Sequence, residues 1–163
     1  PGAGKTTFSL KCSEKLNVPV YHLDRLLFLP GGVKRDLDQF AALQKDLVKE
    51  ENWIIEGCGL RSFEVRFSRA NILIFLNTPR LICIWRAFFR FVFQRNQFPD
   101  TPEGCGKVFN LEMIKYIWRF QNKFNNKLVE FENLYPSVQI FRITNSQELH
   151  QVIAKITDDQ VSI

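Results

Sequence analysis

The sequence has little of what marks specialised protein classes. Its 163 residues hold eight glycines and seven prolines, with no internal repeat and no low-complexity tract, which excludes collagen-like, solenoid and disordered chains. Four cysteines, Cys12, Cys58, Cys83 and Cys105, lie far apart, so neither a CxxC pair nor zinc-ligand spacing is present and reduced thiols in a cytoplasmic protein are expected. The most apolar stretch, LICIWRAFFRFVF from Leu81 to Phe93, is broken by Arg86 and Arg90. It falls short of the roughly 18 to 20 clean apolar residues of a membrane span. No basic-apolar-small leader opens the chain. Neither sign of charge dominates: 22 Lys+Arg against 17 Asp+Glu give +5, an excess that suits an anionic ligand. No helix-turn-helix, zinc module or clustered basic tract supports a dedicated nucleic-acid binder.

What is present reads as one globular domain. A hydrophobic content of 45% with 24% charged residues is enough for a sizeable core at this length. Apolar, β-rich runs recur at Val18 to Leu23, Trp53 to Ile55, Ile72 to Leu76 and Val138 to Ile143, separated by longer segments of helical periodicity. Runs as continuously apolar as ILIFL predict an α/β fold whose parallel sheet is covered on both faces. Thr6 to Leu16 predicts a helix ended by Asn17 ahead of Pro19. Asp36 is placed to cap a helix reaching about Glu50, with Leu37, Phe40, Leu43 and Leu47 on one stripe. Thr78-Pro79 predicts the start of a helix extending to Arg95, and Leu111 to Leu134 reads as helical and partly buried. Asn145 with Glu148 resembles a capping box before a last helix from Ser146 to Ile156. QFPDTPEGCG, between Asn96 and Gly106, reads as a loop able to act as a lid.

The segment that carries chemistry is PGAGKTT at residues 1–7, the later part of G-x-x-x-x-G-K-[ST], whose opening glycine lies outside the sequence. Gly2, Ala3 and Gly4 form the turn in which successive N–H groups point inward around a phosphate, and the following helix adds its positive dipole end. Lys5 reaches the β- and γ-phosphates, the Thr6 hydroxyl is placed to ligate Mg²⁺, and Thr7 lies toward the α-phosphate. ATP and Mg²⁺ are the expected ligands. Asp24, at the carboxyl end of the strand Pro19 to Leu23, faces the ligand crevice and is suited to bind an acceptor or orient its hydroxyl; it equally suits a helix cap for Arg25 onward. His22 shares that face. Arg86 and Arg90, four apart on one helix face, with Arg95 a turn further toward the lid, have a spacing that suits stabilisation of a transferring phosphoryl group. The same segment, rich in Phe88, Phe89, Phe91 and Phe93, also reads as a basic amphipathic helix on a membrane surface. Phenylalanines on several faces instead predict burial in a core, and no membrane partner is expected.

PGAGKTT, VPVYHLDRLLFLPG, WIIEGCGLRSFEVRFSRAN, ILIFLNTPRLICIWRAFFR and PEGCGKVFNLEMIKYIWRF, in this order, make the chain resemble the adenylate-kinase-related P-loop kinases labelled FlaR-like or DNA topology modulation proteins. The resemblance covers nearly all of 1–163. It implies a single P-loop NTPase domain, three-layered α/β/α with a parallel sheet of order 2-3-1-4-5, and a lid-like segment at about 95–110. The first strand is missing from the sequence, which looks N-terminally truncated, and Val18 to Leu23 and Ile72 to Leu76 are expected to lack the neighbour between them. The resemblance further implies Glu56 beside the Mg²⁺ hydration shell, and Arg61 and Arg66 near the acceptor's phosphate or acid, although either arginine also reads as a solvated surface charge. Asn71 and Asn77 stand where such proteins commonly carry Asp, and Cys58 where Asn is frequent. The implied activity is transfer of the γ-phosphoryl group from ATP to a small acceptor, a nucleotide or nucleoside-like molecule, with Lys5, Asp24, Arg86 and Arg90 as catalytic candidates. The family label suggests a second reading, a nucleotide-binding regulator acting on DNA. A GTPase switch is disfavoured by the absence of an N/T-K-x-D guanine motif.

Overall fold

The structure, a computed structural model, describes residues 1–93, 100, 105 and 109–161, and the side chains of these except at 61, 146 and 157–161. Seven helices and four short parallel strands alternate along the described chain, a mixed α/β arrangement. Helix α1 (Lys5–Leu16) closes on Asn17, whose left-handed φ of 53° ends the helix as expected. It leads to β1 (Val20–His22), the short α2 (Leu23–Leu27), a turn of 3-10 helix at Pro30–Gly32, α3 (Leu37–Leu47) and β2 (Ile54–Glu56). Next come a second 3-10 turn (Leu60–Ser62), α4 (Phe63–Phe67), β3 (Ile72–Leu76), α5 (Arg80–Phe93), α6 (Leu111–Leu134), β4 (Gln139–Ile143) and α7 (Ser146–Val161).

Local sequence explains most of the boundaries. Asp36 accepts the amides of Asp38 and Gln39 and so caps α3. Asn110 does the same for α6 by accepting from Met113. Ahead of α7, Asn145 accepts from Gln147 and Glu148, while the Glu148 carboxylate reaches back to the Thr144 amide at 2.7 Å. The expected capping box is therefore present with its return bond one residue earlier. Elsewhere the structure departs from expectation: α3 ends at Leu47 and α7 runs on to Val161. The first strand stops at His22 rather than Leu23, because Leu23 to Leu27 turn into α2. On α3 the stripe is not uniformly inward: Phe40 is buried, Leu37 and Leu43 are exposed, and Gln44 takes the most enclosed position.

The strands form two parallel pairs instead of one sheet. Val20 pairs with Ile54 and His22 with Glu56, while Ile72 pairs with Gln139 and Leu76 with Ile143. Among the described residues no ladder bond joins β2 to β3. A cavity of about 690 Å³ is lined by Ile54 and Ile55 on one side and by Ile72 and Ile74 on the other. Across the gap the facing edges are thus those of β2 and β3: the expectation holds for Ile72 to Leu76, while on the other side the open edge belongs to β2 and not to Val18 to Leu23. In the register seen, β1 is separated from the gap by its own partner.

The core is assembled from aromatic rings. Phe63, Phe67, Phe75, Phe124, Leu128 and Phe131 form the largest cluster, in which α4 and α6 pack over β3. Its rings meet at 4.5 to 5.5 Å, in the range of favourable aromatic pairs. Phe8, Cys12 and Ile153 join α1 to α7, and Cys83, Ala87 and Ile117 join α5 to α6. The burial expected for the phenylalanines of α5 is not found: Phe88, Phe89, Phe91 and Phe93 are all exposed. The helix makes its inward contact through the small residues Cys83 and Ala87. No helix among the described residues is long and apolar enough to cross a membrane.

Candidate functional site

The loop at residues 1–4 turns into α1 through left-handed glycines, with φ of 75° at Gly2 and 93° at Gly4. Gly2 is also pressed against the main chain: a Cβ there would collide with the carbonyl oxygen of Cys83. Gly4 is the N-cap, no side chain caps the helix, and its first turn holds no acidic residue. The first amides of α1 are therefore open to an anion, and the dipole favours one there. Thr78 anchors the loop from the end of β3, its hydroxyl donating to the Ala3 carbonyl at 3.1 Å. This is a different use from the helix cap expected of Thr78, since α5 begins at Arg80.

Around this loop the fold gathers groups far apart in sequence. The Thr6 hydroxyl lies 3.3 Å from Glu56 Oε1 and 3.0 Å from Asp100 Oδ2. Glu56, the last residue of β2, also meets His22 Nδ1 at 2.8 Å, a hydrogen bond in the Nδ1-protonated tautomer. The strand pairing that sets His22 opposite Glu56 is the cause of this contact. Lys5 sits in the field of Cys58, Glu56, Asp24 and Asp100; burial opposes its charge, and these groups together outweigh that and hold the ammonium above its ordinary range. Asp24 lies in the first turn of α2 rather than at a strand end and is exposed to solvent. Crowding by protein atoms pushes its carboxyl upward, Lys5 pulls it down, and Glu56 and Asp100 push it up again, for a net rise.

The arginines divide. Arg86 reaches the loop, its Nη1 lying 3.8 Å from where a Cβ on Gly4 would stand. Arg90 is half-buried, one turn further along α5. Arg66 is buried below the crevice: Nη2 donates to the Gly59 carbonyl at 2.8 Å, the guanidinium stacks over Phe63, and Nε has no partner. Burial lowers its pKa to about 10. Arg66 and Lys5 line the same cavity. The side chain of Arg61 and all of Arg95 lie outside the described residues, as does most of the lid-like segment 95–110. Thr7 is exposed on the outer side of the first turn.

Three contributors were not legible as site residues. Asp100 carried only the signature of a loop, yet it bonds Thr6, and its Oδ1 is buried without a partner. Cys58 lines the same cavity as Lys5 and lies near Tyr116, whose phenol is raised by burial first and by Cys58 second. Thr78 was read as a cap. Only long-range packing brings these together, and no local spacing encodes it. The four cysteines form no disulfide.

Among the described residues no group of three or more His, Cys, Asp or Glu side chains is arranged to hold a metal ion by itself. The donors beside Lys5 are a hydroxyl, Thr6, and two carboxylates, Glu56 and Asp100, with an orphaned buried oxygen on the latter. Hard oxygen donors in this small number suit Mg²⁺, which keeps several waters and is completed by substrate phosphates. No family model, curated protein or solved structure matches the chain.

Proposed function

We propose that the chain is a P-loop phosphotransferase of three-layer α/β/α type that moves the γ-phosphoryl group of ATP to a small acceptor, a nucleotide or nucleoside-like molecule. The observation that carries the reading is the meeting, at one uncapped helix N-terminus, of Lys5, the Thr6 hydroxyl, the carboxylates Asp24, Glu56 and Asp100, and the Arg86 guanidinium. Phosphoryl transfer calls for this combination of open amides, fixed cations and few carboxylates, because catalysis is positioning and charge neutralisation. In this reading the amides of Gly4 to Thr6 bind the phosphates, Lys5 neutralises the β/γ oxygens, and Arg86 and Arg90 approach the transferring group from α5. Thr6 and Glu56 hold Mg²⁺, which supplies charge neutralisation across the phosphates when bound. Asp24, whose carboxyl retains a proton to higher pH than usual, binds the acceptor and takes up its hydroxyl proton. Arg66 holds the acceptor's anionic group from below.

The test is transfer of labelled γ-phosphate from ATP and Mg²⁺ to nucleoside monophosphates, nucleosides and small hydroxy acids, with the chain and its Lys5→Ala variant. A labelled product that Lys5→Ala lowers by about 100-fold or more is expected, the size of effect seen when one fixed electrostatic donor is lost. Absence of transfer to every acceptor while ATP still binds overturns the kinase reading. Steeply salt-dependent DNA binding in its place would favour the DNA-directed regulator.

A further inference from the structure

Helix α5 turns an uncharged face outward. At about 100° per residue, Leu81, Trp85, Phe88, Phe89, Val92 and Phe93 fall on one arc of roughly 140°. All six are exposed, Trp85 by 62% and Phe93 by 64%. The rings of Trp85, Phe89 and Phe93 follow one another along the helix with centroids 5.4 and 4.6 Å apart, and at the edge of the face Phe88 also meets the ring of Phe109 at 5.4 Å. The opposite side, at Cys83 and Ala87, is the one packed on α6. A contiguous aromatic face of this kind marks an interaction surface.

Charge selects among partners. The helix carries Arg80, Arg86 and Arg90 and no carboxylate. Arg80 is held by Gln121, Asn122 and the ring of Trp118, all uncharged, so its positive charge is not cancelled there. Arg86 borders the apolar arc and is exposed. A second copy packed antiparallel on this face would set Arg86 edge against Arg86 edge, placing like charges together. An anionic surface does the reverse. The aromatic content also favours lipid, since Trp and Phe settle at the headgroup boundary while arginines extend to the phosphates.

We infer that the outer face of α5 docks on an anionic lipid bilayer, the helix lying in the plane of the interface. Its 14 residues span roughly 21 Å, too short to cross a hydrocarbon layer of about 30 Å but sufficient to lie on one. The apolar arc itself plays no part in the phosphotransferase reading; the inference shares with that reading only Arg86, which borders the arc and also reaches the loop before α1.

Flotation of the full chain with vesicles of phosphatidylcholine, and of phosphatidylcholine containing about a quarter phosphatidylglycerol, tests it. The expected result is binding to the anionic vesicles, weaker by about fivefold or more on the neutral ones and falling as salt screens the headgroups. Trp85→Ser with Phe89→Ser removes two exposed rings and should reduce binding by about tenfold or more while circular dichroism remains unchanged. Leu134→Ser, an exposed site on α6, should leave flotation as it was. Equal binding to both vesicle types, or binding indifferent to the Trp85/Phe89 change, overturns the inference. So does an absence of flotation, most directly if light scattering finds a dimer that the same double change makes monomeric.

Discussion

At the scale of single residues, the loop before α1 tolerates little because its constraint is steric and conformational at once. Gly2 has a φ of 75° and no room for a Cβ beside the Cys83 carbonyl. Gly2→Ala should destabilise the fold by about 1–3 kcal/mol and weaken nucleotide binding with it, measured by thermal unfolding with and without ATP. A drop in melting temperature with ATP affinity retained would show that the loop shifts without losing its open amides. Asp24 gives a pH-dependent prediction. Its carboxyl is raised in the fold, so the native state holds the proton more tightly than the unfolded chain. Its stabilising share is complete below the ordinary value of 3.8 and is lost as pH rises through the raised folded value. Asp24→Asn should therefore unfold at a higher temperature than the parent at neutral pH, with the difference closing toward strongly acid pH. A constant difference across the range would refute the assignment.

At the scale of elements, α3 is fastened to the segment before α4 by a polar pair inside the protein. Gln44, with 0% exposure, donates to the Phe40 carbonyl and accepts from the Ser62 hydroxyl at 2.9 Å. Ser62→Ala leaves the Gln44 oxygen buried without a donor and should cost about 1–3 kcal/mol. In a chain of this size that corresponds to roughly 2–4 °C of melting temperature per kcal/mol. Adding Gln44→Met should recover part of the loss, because no orphaned polar atom then remains. The same pair shows where sequence reading stops. Helix ends were legible because Asp36, Asn17 and Asn145 act on amides and carbonyls within a few positions. The inward residue of α3 was not, since the hydroxyl that satisfies the buried Gln44 oxygen lies 18 positions away. The outward phenylalanines of α5 failed similarly: hydrophobicity counts side chains but does not say that Cys83 and Ala87 make the closest packing. Within the site, Lys5, Thr6 and Glu56 were legible from the motif and from the resemblance. Asp100 and Cys58 were not, because they arrive through tertiary folding alone.

At the scale of the molecule, the two strand pairs are joined, among the described residues, by side chains and helices without a shared ladder. α1 packs on β2 and, through Phe8 and Cys12, on α7 beside Ile74 and Leu76 of β3. Lys5 begins that helix, so the candidate site sits at the point where both halves are attached. One half brings Glu56, His22 and Asp24; the other brings Thr78 and the arginines of α5. Anything that binds across Lys5 and Arg86 would couple them.

The open edges of β2 and β3 have a consequence for exchange with solvent. Where no backbone ladder crosses the gap, local opening need not break both strand pairs together, and cooperative units tend to follow such seams. Native-state hydrogen–deuterium exchange should resolve β1–β2 and β3–β4 as two units with separate opening free energies. A single common value for both would mean that the aromatic core alone ties the halves into one unit.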